Sequence, residues 1–257
     1  MGRLIHMPSF IRDLHLFADG REIAAGCPLR LEARESLTLR PALHHLEIRD
    51  LPPSPEALLA RAKRVELRSG PSVLAFGEPL DCLTRTVAGR RITSLVFSPG
   101  LSLWTASLSL SLAAGMKVSD SLRAVLAACG AGVSLAAFAA KDRTLPRPQA
   151  FFGRACDALT TLAETADADV FLSPAGVCVS GRAPRDPALI LPEAALLCDP
   201  VPAGNRLIFS TSLLGWPLGA FVRVSRGGRT WTGRLVSRLL QADNRDGPWR
   251  SELEMVH

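Results

Sequence analysis

The sequence predicts a mainly β protein with an α+β insertion: two antiparallel, tube-like β-barrels plus a small αβ module. Three observations predict it. Short runs of alternating apolar and polar residues, separated by turn residues about every ten positions, fill the first hundred residues. The stretch Leu101–Gly130 then changes from a period of two to a helical period. Beyond Arg206 the alternation returns in four further runs. The division this implies is 1–100 for a first barrel, 101–116 for a strand entering a second, 117–184 for the inserted module and 185–257 for the rest of the second barrel.

Taken in order, the alternation starts at Phe10, and Asp19-Gly20 supplies the chemistry of a two-residue hairpin. Leu29, Leu31 and Ala33 alternate with Arg30, Glu32 and Arg34, and Leu46 and Ile48 alternate with Glu47 and Arg49. Pro52-Pro53 stops that strand. Ser54-Pro55-Glu56 reads as a cap, a first-turn proline and a first-turn acid, opening a short helix to about Ala62. Val65–Leu67, Val73–Phe76, Leu80–Val87 and Ile92–Phe97 are further strands, with Ala88-Gly89 turning the last pair. So many short strands fit a closed or nearly closed antiparallel barrel.

In the pivot, Ala106, Leu108, Leu110 and Leu112 point one way and Ser107, Ser109 and Ser111 the other, so Leu101–Leu112 reads as one half-buried strand. Its apolar parity switches at Trp104, as expected of a bulge or of burial on both faces there. Ser119 is the expected N-cap of a helix carrying Leu122, Val125, Leu126 and Cys129 on one stripe, with Gly130 as its stop. Val133–Phe138 reads as a strand and Ala150–Ala166 as a helix. A hairpin turns at Ser173-Pro174-Ala175-Gly176, a type I turn pattern. Residues 182–204 carry prolines at 184, 187, 192, 200 and 202 and read as loop. Arg206–Ser210, Ala220–Ser225, Trp231–Leu240 and Trp249–Val256 are strands, too few to close a barrel, so the pivot strand is expected to join them.

Composition narrows the class. A chain of 257 residues with 47% hydrophobic content can bury large cores. The opening MGRLIHMPSF has no apolar run followed by a small-residue cleavage site, so neither a signal nor a transit peptide is expected, and no run reaches membrane-span length. The expected place of synthesis is a cytoplasm. The formal charge of +6 is spread along the chain, with no cationic run interleaved with aromatics, which argues against sequence-specific nucleic-acid binding.

Residues that carry chemistry do not assemble into a motif. Six cysteines, at 27, 82, 129, 156, 178 and 198, lack the close pairs that zinc requires and read as small core residues. Of the histidines at 6, 15, 44, 45 and 257, only His44-His45 are neighbours, and adjacent strand residues face opposite ways. Glu32 with Glu35, Asp50 with Glu56 and Glu252 with Glu254 are conceivable carboxylate pairs, read as solvated strand faces. No nucleophile elbow and no phosphate loop occurs. No catalytic, cofactor or metal residue is therefore expected. Trp216 and Trp249 remain as interface candidates, weighed against core packing, because tryptophan is enriched at interface centres.

Several phrases together resemble the baseplate hub proteins of phage tails and related contractile injection systems. They are Gly100-Leu101-Ser102-Leu103-Trp104 closing the N-terminal part, then Gly115, Val118 and Asp120 leading into a helix. Phe151–Leu162 followed by Ala168-Asp169-Val170-Phe171 resembles the inserted module, and Trp231–Val256 with Gly247-Pro248-Trp249 resembles the last two strands. The resemblance implies a structural, non-enzymatic virion component without cofactor. It would be a homotrimer whose six barrels ring the tail axis, placed between a sixfold tube or distal tail protein and a threefold spike or tail-tip protein, and assembled in the host bacterial cytoplasm. A tail-tube or distal tail protein, a nucleic-acid-binding barrel and a cell-wall hydrolase are the alternatives.

Overall fold

The computed structural model describes residues 12–183 and 188–256. Phe10, where the alternation was expected to start, and His6, His257, Pro184 and Pro187 lie outside the described residues. The N-terminal strands follow the sequence closely. β1 (His15–Ala18) and β2 (Arg21–Glu22) form a hairpin in which Asp19 and Gly20 have φ of 47° and 82°, the doubly left-handed turn that Asp-Gly favours. β3 (Leu29–Ser36) and β4 (His44–Arg49) bury Leu29, Leu31, Ala33, Leu46 and Ile48. The short α1 (Pro53–Leu59) starts one residue before the expected Ser54 cap, because Pro52 already holds the extended conformation that precedes a helix. β5 (Val65–Ser69) is followed by β6 (Ser72–Val87), a single strand of 16 residues where two were expected, and then by β7 (Arg90–Ser98). Its register against β7 slips between Pro79 and Asp81, a bulge that lets one strand serve two neighbours: β5 pairs residues 72–77 and β7 pairs the rest.

The pivot is where expectation and structure part. Leu101–Thr105 is a one-turn helix, α2, entered from Gly100 at φ 67°, and only Ser107–Leu112 is extended, as β8. The change of parity at Trp104 thus marks a helix-to-strand junction, with Trp104 N–H donating to Gly100 O and Ala106 N–H to Ser102 O. β8 does not join the C-terminal strands. It pairs with β10, as described below, because its apolar face (Leu108, Leu112) packs into the same core as Leu122 and Leu159 of the following helices. α3 (Val118–Cys129) ends on Gly130 as expected, but its cap is borrowed: the Asp142 carboxylate accepts from Ser119 N (3.1 Å) and Ser119 Oγ (2.8 Å). β9 (Leu135–Ala139) precedes β10 (Gln149–Arg154), whose residues were expected to begin a helix. α4 (Ala155–Thr165) begins only after them, since pairing with β8 holds residues 149–154 extended. β11 (Ala168–Ser173) and β12 (Gly176–Gly181) form the expected hairpin, and β9 lies parallel to β12.

In the C-terminal part, β13 (Leu189–Leu191) and β14 (Val201–Ala203) are short strands in what the prolines suggested was loop. β15 (Arg206–Thr211), β16 (Phe221–Arg226), β17 (Arg229–Asp243) and β18 (Trp249–Val256) match the expected runs. Among the described residues, thirteen strands make one sheet path, β14-β15-β18-β17-β3-β4-β7-β6-β5-β1-β2, with β16 and β13 branching from β17. The mainly β class with helices is as expected. The strands are not closed barrels: β14 and β2 end the path without pairing each other. Two separate rings are replaced by one ladder because β17 is long enough to divide one edge. Residues 229–234 pair β16 and residues 237–243 pair β3, while β18 takes the other edge.

The described residues of 1–36, 42–98 and 184–257 form one compact unit, and 37–41 with 99–183 form another. The first holds two cores, one around Leu31, Ile48, Leu67 and Phe97, the other around Leu207, Phe209, Trp216, Val222 and Leu253. The second has a single core built from α3, α4 and the strands beside them.

Candidate assembly surfaces

The most constrained polar group in the first unit is Arg238, buried in the middle of β17. Its Nη2 donates to Glu35 Oε2 (2.5 Å) and to Leu74 O (3.0 Å), and its Nη1 donates to Trp216 O (3.1 Å) and Leu214 O (3.3 Å). One guanidinium therefore ties β3, β6, β17 and the 214–216 loop together. His44 is fully buried beside it, with Nε2 3.9 Å from Glu35 Oε1 and its ring edge-on to Phe97 at 5.1 Å. Burial, then the charges of Arg238 and His45, push the His44 pKa down to about 3, so it stays neutral. This cluster is a structural tie between strands. The sequence signal for it is an arginine amid Leu235, Val236, Leu239 and Leu240, where a strand buried on both faces would reject a charge.

The other chemistry-bearing residues remain apart. His45 is exposed while its neighbour His44 is buried, as alternation requires. The carboxylates once considered as pairs turn instead to arginines: Glu35 to Arg238, Glu56 to Arg91 and Glu254 to Arg206. All six cysteines are free thiols, and burial raises the pKa of Cys27, Cys82 and Cys156. No group of three metal-ligating side chains occurs among the described residues, and no helix there is long and apolar enough to cross a membrane. A cleft of about 450 Å3 in the second unit is lined by residues of both signs, in which Arg154 pairs with Asp157 and Arg182 with Asp169. Above it Arg154 lies 4.7 Å over the Trp104 ring.

Among the described residues, His15 on β1 is the histidine held between two carboxylates. Its Nδ1 lies 2.6 Å from Glu22 Oε1 and its Nε2 2.8 Å from Asp13 Oδ2. The doubly protonated ring can donate to both carboxyl groups, and the hydrogen bond with Glu22, then that with Asp13, raises the pKa above 6.5. Its stabilising contribution is fully present below pH 6.5 and is lost as pH rises through the raised folded value. Titration followed by NMR is expected to place the His15 midpoint above that of a model histidine. A His15→Gln variant should flatten the pH dependence of β1–β2 amide exchange, whereas a midpoint at or below 6.5 would contradict the geometry.

The two tryptophans differ in place. Trp216 is 1% exposed in the core with Phe209, Leu235 and Leu253. In the single chain it therefore takes the core-packing place that was weighed against an interface role. Trp249 opens β18 half-buried, packed against the N-terminal core. The surface instead offers an open strand edge. From Leu80 onward β6 pairs only β7, and its other edge has no strand partner among the described residues. Leu80, Leu83 and Val87 are exposed on this strand, and Val201 and Ile208 are exposed at the β14 end of the path.

Comparison with known proteins places this architecture. No family model and no curated protein matches the sequence. Solved structures do match. A tail protein from Neisseria meningitidis MC58 superposes with a TM-score of 0.70 at 13% identity, over 95% of this chain and 96% of that one. The 43 kDa tail protein of prophage MuSo2 from Shewanella oneidensis gives 0.71 at 10% identity, over 95% and 98%. The E. coli c3393 protein, a type VI secretion component described as similar to the T4 bacteriophage tail proteins gp27 and gp5, gives 0.65 at 11% identity, over 94% and 76%. The fold is one shared with phage tail proteins and with a type VI secretion component.

Proposed function

From a fold shared end to end with phage tail proteins, we propose that this chain is a structural, non-enzymatic component of a phage tail or related injection apparatus, specifically its tail-tip hub. Three copies form a ring that meets the sixfold tail tube or distal tail protein on one face and a threefold central spike or tail-tip protein on the other. The two lobes of the first unit, built from residues up to 98 and beyond 188, serve as the paired tube-facing modules, so a trimer offers six. Its place is the virion tail, with assembly in the host bacterial cytoplasm. The observation that carries the reading is a correspondence covering 95% of this chain and 96% and 98% of two tail proteins. Electron microscopy of the native particle tests it: three copies at the junction of tube and spike are expected. Six identical copies in one ring would favour a tail-tube or distal tail protein, and clearing of a peptidoglycan gel by the purified chain would overturn the non-enzymatic reading.

A further inference from the structure

From the open edge of β6 we infer that the unassembled chain dimerises through antiparallel pairing of residues 80–86 with the same residues of a second copy, about a twofold axis at Leu83. This goes beyond the hub reading, since it concerns the free protein and uses a symmetry that a threefold ring lacks. The hairpin geometry selects which groups are available. Ala88 and Gly89, at φ 49° and 76°, make a two-residue turn whose flanking pair Val87–Arg90 is hydrogen-bonded. Alternation from there directs the N–H and C=O groups of Thr86, Thr84 and Cys82 away from β7, toward the open edge. The bulge at Leu80 separates this half of β6 from the half that β5 already pairs.

The side chains fix both partner and register. Asp81, Leu83, Arg85 and Val87 share one face of β6 and are all exposed. Neither Asp81 nor Arg85 has an ion-pair partner among the described residues. With Leu83 on the axis, position 81 of each copy falls opposite position 85 of the other. Two Asp–Arg pairs then flank a Leu–Leu contact, all at non-hydrogen-bonded positions, where side chains stand closest. A slip of two residues, which keeps the same face inward, would pair Leu83 with Arg85 or Asp81 and leave neither Asp81 nor Arg85 opposite a charge of the other sign. An edge of this kind left bare is prone to indiscriminate pairing, and a self-complementary partner closes it.

Light scattering and sedimentation of the purified full chain test the inference. A reversible shift from one chain mass to two is expected across micromolar concentrations. Arg85→Asp or Asp81→Arg creates two like-charged pairs and should weaken dimerisation about tenfold or more. The double reversal Asp81→Arg/Arg85→Asp restores both pairs and should return the affinity to within about threefold of the original. Leu83→Lys, with circular dichroism confirming the fold, should abolish the dimer. A monomer at every concentration, or an oligomer whose stability ignores both single reversals, would overturn the inference. The copy number in the assembled tail would be untouched by either result and tests the hub reading separately.

Discussion

Arg238→Met is expected to destabilise the protein by about 3–5 kcal/mol, the cost of breaking a buried ion pair from one side. Methionine keeps most of the stem volume, so the loss is electrostatic. Glu35, 13% exposed, would keep a carboxylate with no cation, and the carbonyls of Leu74, Leu214 and Trp216 would lose their donor. The companion test is Glu35→Gln/Arg238→Met, which removes both charges and should recover part of the loss, because an unmatched buried charge costs more than the pair contributes. Urea unfolding of each variant measures this. A loss below about 1 kcal/mol for the single variant would mean that water reaches the site and that the cluster does not hold the strands together.

Trp216→Ala is expected to cost a similar amount, about 3–5 kcal/mol, through cavity formation. The ring belongs to one buried cluster with Phe209, Leu235, Leu253 and Met255, so its removal leaves a gap in a core. The result discriminates between two roles. A core residue loses stability in the isolated chain, read by thermal melting; an interface anchor would leave the isolated chain intact and weaken only its assembly. The burial makes the first outcome the expected one.

These two residues also show what sequence reading could reach. Strand positions were legible because one face of each strand meets a core, and alternation records that directly, as in Leu29–Leu31–Ala33 and in Ser107–Leu112. Turn chemistry at Asp19-Gly20 and the helix stop at Gly130 were equally local. Partnership was not legible. Nothing in Ser107–Leu112 says that Gln149–Arg154 will lie beside it, and both a barrel strand and a two-stranded ribbon on helices give the same alternation. Likewise the sharing of β17 by β16 and β3 depends on its length relative to its neighbours, which no local pattern encodes. For Trp216, the sequence Leu214-Gly215-Trp216-Pro217 marks a loop, and loops are exposed more often than not. Here the loop folds inward because Arg238 fastens its carbonyls, a contact made across 22 positions of sequence.

The pairing of β3 with β17 has a consequence for how the protein is made. Residues 30–36 find their neighbours at 237–243, so a nascent chain leaving the ribosome carries an incomplete ladder until residue 243 has been translated. The early strands must wait, partly bare, for the last ones. A truncated product ending before β17 should therefore be a target for chaperones and proteases, and only full-length molecules would reach the assembly line.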